Sequence, residues 1–68
     1  MYKISLAAAR INAGFSQKDA AKALQISNTT LGKWERGESF PTADKIPKIC
    51  DLYGVHYDNL NFLPKGSL

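Results

Sequence analysis

The stretch from Ser16 to Gly37, SQKDAAKALQISNTTLGKWERG, leaves this chain few choices of fold. It holds two short helical periodicities, each opened by a serine able to cap a helix, with only a few residues between them. Ser16 can accept the backbone N–H of Asp19, and the Asp19 carboxylate can reach back toward the start of the turn as a short-armed capping box. The second helix of the chain is therefore expected to begin at Gln17. Ala20, Ala21 and Leu24 then share one face, whereas Lys18, Lys22 and Gln25 point elsewhere. The alanines permit close approach of another helix. Ser27 repeats the capping logic for a third helix, in which Leu31 and Trp34 recur at i, i+3 on the inner side. Asn28, Thr29, Gly32, Lys33 and Arg36 are expected on its opposite face, and Gly37 supplies a left-handed stop.

Two capped helices across so short a turn form a helix-turn-helix signature. The outer face of the third helix carries amide, hydroxyl and cationic groups, which suit base edges and phosphates. Asparagine can pair bidentately with adenine, lysine can donate to guanine acceptors, and a threonine methyl can touch a thymine methyl in the major groove. A polar outer face is common to amphipathic helices, so the functional weight comes from its combination with the paired caps and the short turn.

The flanking segments extend the pattern. Ile4, Ala7 or Ala8, and Ile11 predict a first helix over Tyr2–Asn12, ended by Gly14. Phe15, just before the Ser16 cap, can form a hydrophobic staple with Ala20. Glu38 to Thr42 reads as a loop, because Pro41 disfavours helix at Phe40. A fourth helix is expected from about Asp44 or Lys45, capped by Thr42 or Asp44, with Pro47 near its start and Gly54 at its end. Ile46, Ile49, Cys50 and Tyr53 would form its apolar face. A last short helix, from His56 or Tyr57 to about Phe62, would bury Leu60, with Tyr57 a second candidate for burial, leaving residues 64–68 as a flexible tail after a domain spanning residues 1–63.

Arg10, Gly14, Phe15, Ser16-Gln17, Ala21, Ile26-Ser27, Leu31, Trp34-Glu35-Arg36-Gly37, Pro41, Leu52-Tyr53-Gly54-Val55 and Leu60 together resemble the phage-repressor and Cro-type, or Xre-like, helix-turn-helix domains. The resemblance covers nearly the whole chain, from about Ile4 to Leu60. It implies an all-α, compact five-helix bundle, lambda-repressor-like, that binds operator DNA as a two-fold dimer. The family's base-reading positions correspond to Ser27, Asn28, Thr29 and Lys33. Its phosphate-contacting positions correspond to Arg10, Gln17, Arg36 and the loop at Ser39 and Phe40, some of them through backbone N–H groups. Gln17 would share a phosphate with the positive end of its helix. Matching positions in related repressors also imply a structural ion pair between Arg10 and Glu35. The chain departs from the family at Gln25, where glycine is usual. A non-glycine residue forced into the left-handed region there costs about 1 kcal/mol.

Composition limits the other classes. Sixty-eight residues suffice for one domain without a separate ligand-sensing one; a chain of this size buries only about 60% of its unfolded surface. Nine Lys and Arg against six Asp and Glu give a formal charge of +3, which favours a polyanionic partner. The single cysteine excludes an internal disulfide or a Cys-rich zinc site and fits a reducing cytoplasm. No run approaches the ~20 apolar residues that span a bilayer. Cys50 reads as a small core residue, His56 as a surface or capping residue, and Trp34 as core.

The expectation is a sequence-specific DNA-binding transcriptional regulator, a repressor or Cro-type protein on a near-palindromic operator. It would be mostly monomeric when free and dimeric on double-stranded DNA. No catalysis, cofactor, metal, small-molecule ligand or membrane is expected. The alternative keeps the fold as a protein-interaction module, such as an antitoxin-type partner-binding domain, motivated by Phe40, Phe62 and Leu63 as exposed apolar candidates.

Overall fold

The computed structural model describes residues 3–62, and Leu63 and the expected tail at residues 64–68 lie outside them. In chain order the elements are β1 (Ile4–Ser5), α1 (Leu6–Asn12), α2 (Gln17–Leu24), α3 (Asn28–Arg36), α4 (Ile46–Tyr53), a 3-10 turn (Tyr57–Asn59) and β2 (Leu60–Asn61). Leu24, Leu31 and Ile49 are the largest fully buried side chains. Leu6, Ala9, Ala20, Ala21, Trp34, Tyr53 and Leu60 complete the core around them. Among the described residues no helix is long and apolar enough to cross a membrane.

The two central helices start and stop where their caps predict. Ser16 accepts the Asp19 N–H at 3.0 Å, and Ser27 accepts the Thr30 N–H at 3.0 Å. Between them Gln25 takes the left-handed conformation (φ 61°), and the Ile26 N–H reaches back to the Ala21 carbonyl at 3.0 Å. The glycine commonly placed at such a turn is thus replaced at a conformational cost that the packed α2–α3 pair absorbs.

The structure departs from the sequence expectations at both ends of the chain. The first helix starts at Leu6, because Ser5 is its cap and accepts the Ala8 N–H at 3.0 Å. This start turns Leu6 and Ala9 inward and leaves Ile11 63% exposed, so the Ile4–Ala7/Ala8–Ile11 face is not the buried one. The described residues hold four α-helices, not five. The fifth expected helix is one 3-10 turn, after which Leu60 and Asn61 pair in parallel with Ile4 and Ser5, so the bundle also carries a minimal β pair. Asp58 and Asn59 favour turns over helix, and the extended Leu60 backbone finds partners in β1. Leu60 is buried as expected, but Tyr57 is 57% exposed.

Helix α4 begins at Ile46 with Pro47 in its first turn, and neither Thr42 nor Asp44 is its cap. Instead the Thr42 carbonyl accepts the Lys45 N–H at 2.9 Å in a preceding turn. A side-chain hydrogen bond with Thr42 holds the Asp44 carboxyl below its usual pKa. Lys45 donates through Nζ to the Leu24 carbonyl at 2.9 Å, placing a cation at the negative end of α2 and tying α4 to it. Gly54 (φ 67°) ends α4, with the Val55 N–H bonded to the Cys50 carbonyl at 3.1 Å.

Tyr53 packs its ring against Phe15, 6.2 Å between centroids, and its buried hydroxyl has no hydrogen-bond partner among the described residues. Burial first, then the nearby Glu35 carboxylate, pushes its pKa up to about 12 from an ordinary 10.0. The neutral phenol is therefore favoured in the fold, a contribution complete below pH 10 and lost as pH rises through about 12. Alkaline melts should show wild type losing about 2 to 3 kcal/mol across that window beyond the loss of Tyr53→Phe. At neutral pH Tyr53→Phe should be at least as stable as wild type, since it removes an unsatisfied hydroxyl. Parallel alkaline curves for the two proteins would show that Tyr53 ionises without cost.

Candidate nucleic-acid interface

The α2–turn–α3 unit sets the outer surface of α3 beside the start of α2. Asn28, Thr29 and Lys33 are exposed on α3, and Arg36 is exposed in its last turn. Gln17, at the start of α2, is half-buried between this face and the core. Its Oε1 accepts from Asn28 Nδ2 at 3.2 Å, and its Nε2 donates to Glu35 Oε1 at 3.0 Å. Ser27 is committed to its own helix: besides capping Thr30 N–H, its hydroxyl donates to Thr30 Oγ1 at 2.9 Å. Its placement at the helix start is that of a cap.

Arg10 lies inward. Its Nε donates to Glu35 Oε2 at 2.7 Å and its Nη1 donates to the Phe15 carbonyl at 2.8 Å, with the Arg10 and Glu35 side chains only 13% and 8% exposed. The structure thus brings Arg10 to Glu35 and to the Phe15 carbonyl. The arginine that faces solvent is Arg36, whose Nε donates to Glu38 Oε2 at 2.6 Å. The side-chain hydrogen bond to Glu38, then its charge, raises the Arg36 pKa. Glu38 is a neighbour of the basic face that sequence inspection missed, although its i+2 spacing from Arg36 is visible.

Gly32 corrects a further expectation. It is buried rather than exposed, because the Arg36 side chain folds back over it: a Cβ built on Gly32 would lie 3.0 Å from Arg36 Nη1 and 3.7 Å from Gln17 Nε2. The i, i+4 spacing to Arg36 was the available signal. Gly32→Ala is expected to raise stability by up to about 1 kcal/mol through helix propensity, since the exposed Arg36 tip can move aside. A lower melting temperature would contradict this.

Ser39 and Phe40 are exposed in the loop after α3. Phe40 lines a groove of about 330 Å³ with Lys3, Tyr57 and Phe62, the last two stacked at 5.7 Å. Phe62 is half-buried, Cys50 is half-buried against the core with burial raising its thiol pKa, and His56 is exposed. Among the described residues no group of His, Cys, Asp and Glu could hold a metal ion.

Comparison with known proteins agrees with this architecture. The helix-turn-helix family model HTH_3 matches residues 6–60. The chain is 42% identical over 52 residues to the HTH-type transcriptional regulator ImmR of Bacillus subtilis (strain 168), a match covering 76% of this chain and 41% of that relative. It is also 40% identical over 47 residues to the uncharacterized HTH-type transcriptional regulator YazB of the same organism, covering 69% of this chain and 68% of YazB. The chain therefore spans less than half the length of ImmR. No solved structure matches it significantly. With a family match across α1 to β2, and with both caps and the intervening left-handed turn in place, the chain belongs to the Xre-type helix-turn-helix family.

Proposed function

We propose that this chain is a sequence-specific DNA-binding transcriptional regulator, with residues 1–63 as its DNA-binding domain. The observation that carries the reading is the exposed face of α3, where Asn28, Thr29 and Lys33 stand together beside the start of α2. The two relatives named as transcriptional regulators support it. In this reading α3 enters the major groove, Asn28, Thr29 and Lys33 meet base edges with Ser27 at the helix start, and α2 crosses the backbone. Arg36, Gln17 and the Ser39–Phe40 loop hold phosphates, while Arg10 contributes by fixing Glu35. Catalysis has no part in it, and its setting is the cytoplasm.

The regulator acts as a repressor or Cro-type protein, two copies binding a near-palindromic operator with half-sites about one turn, ~34 Å, apart. The exposed Phe40 and Tyr57 beside Phe62 are the apolar surface that suits contact between copies. A weak contact of this kind leaves the free chain mostly monomeric, yet joins two copies on one operator. Selection of bound sites from a random duplex pool should return near-palindromes, with sedimentation showing two chains per site. A single unrepeated half-site bearing one chain would overturn the dimer. The same aromatic groove favours a second reading, a protein-binding module, in which binding to bulk DNA would be absent or insensitive to salt.

Glu38 already occupies Arg36 and carries a charge that any phosphate held there must meet. Glu38→Gln is expected to tighten binding to all sequences alike, by a few-fold, because the pair it removes is exposed and correspondingly weak. Unchanged or weaker binding in a titration with bulk duplex would remove Arg36 from the phosphate contacts.

A further inference from the structure

Asn28, Gly32 and Arg36 follow one another at four-residue steps and form a stripe along the side of α3 that faces the start of α2. The middle position carries no side chain, and its neighbours close over it. A Cβ at Gly32 would stand 3.0 Å from Arg36 Nη1 and 3.7 Å from Gln17 Nε2, so donors from the last turn of α3 and the first turn of α2 converge on one point. Both have hydrogens left for an outside acceptor. Gln17 gives one amide N–H to Glu35 Oε1 and keeps a second, while Arg36 gives its Nε–H to Glu38 and keeps those on its Nη nitrogens. The unesterified oxygens of one phosphate are within reach of the two together. Only glycine leaves that space open, because the Cβ of alanine would push the guanidinium outward. Glycine is otherwise unfavourable in a helix interior.

We propose that Gly32 is a positioning residue for DNA binding: by carrying no side chain it lets Arg36 lie back along α3 beside Gln17, so that the two hold a single backbone phosphate between them. This role rests on the DNA-binding function proposed above and deepens it. Glycine weakens the helix locally and sets the reach of Arg36. A phosphate fixed at the seam of α2 and α3 positions the reading helix on the duplex without itself carrying sequence information.

Gly32→Ala tests this, because its two expected effects have opposite signs. A circular-dichroism melt should show the variant at least as stable as wild type, whereas its affinity for a random-sequence duplex should fall about tenfold, the size of one lost charge-assisted hydrogen bond. The salt slope should drop toward that of Arg36→Ala, and the base preference of selected sites should stay as in wild type. In the Gly32→Ala background, Arg36→Ala should cost little more. With Gly32 in place, Gln17→Ala and Arg36→Ala combined should lose less than the two single losses together, as groups that share a partner do. If Gly32→Ala binds with the affinity and salt slope of wild type, or if Arg36→Ala keeps its full effect in that background, the positioning role is overturned while the DNA reading stands. Strictly additive losses at Gln17 and Arg36 would overturn the shared phosphate in the same way. If wild type binds no duplex, both fall.

Discussion

Glu35→Ala is expected to destabilise the domain by about 3 kcal/mol and to lower its melting temperature by roughly 10 to 25 °C. The pair it breaks is largely removed from solvent, so deletion of the carboxylate strands the Arg10 guanidinium in a poorly hydrated site. It also takes the acceptor from Gln17 Nε2. The loss sits at the low end of the range for buried pairs because Arg10 keeps its bond to the Phe15 carbonyl. The Arg10→Ala, Glu35→Ala double variant should lose clearly less than the sum of the single variants, since removing both partners leaves no unpaired charge. Strictly additive losses in thermal melts would mean that the two side chains do not interact energetically.

The second large effect is on binding. Asn28→Ala and Lys33→Ala should each cost about 1 to 3 kcal/mol per half-site on the preferred operator and relax its sequence at one position, with little change in non-specific binding. Arg36→Ala should instead weaken binding to every sequence and reduce the salt slope by about one unit per subunit, as expected for a lost phosphate contact. The contrast separates residues that read from residues that hold. A titration series at several salt concentrations, run on operator and on unrelated duplex, measures both quantities. Equal losses on the two duplexes for all three variants would remove base reading from α3.

What was legible in the sequence follows the range of the forces involved. The limits of α2 and α3 depend on local events: a serine one residue before each helix, a left-handed residue at Gln25, and a glycine at position 37. Each can be read within a few residues. The start of α1 was equally local, and Ser5 was overlooked as a cap because the apolar pattern from Ile4 to Ile11 suggested a longer helix. The C-terminal segment was not legible, since Leu60 is extended through pairing with Ile4 at the other end of the chain. Non-local pairing leaves little trace in a short stretch of sequence.

The candidate interface divides in the same way. Exposure of Asn28, Thr29, Lys33 and Arg36 followed from helical periodicity alone. The burial of Gly32 did not, because it is covered by a neighbouring arginine and glutamine rather than by the core. The relay from Arg10 through Glu35 and Gln17 to Asn28 joins three helices and appears only when they are packed together. Family resemblance suggested the first of these links and left the others unread.

In the proposed function, the outer face of α3, with the start of α2, is the surface that meets DNA. Titration of the 15N-labelled chain with a duplex, followed by amide chemical shifts, tests it most directly. The largest perturbations are expected at Gln17, Asn28, Thr29, Lys33 and Arg36, with the Asn28 and Gln17 side-chain amides moving together. Perturbations confined to the groove around Phe40, Tyr57 and Phe62, or none on adding duplex, would contradict it.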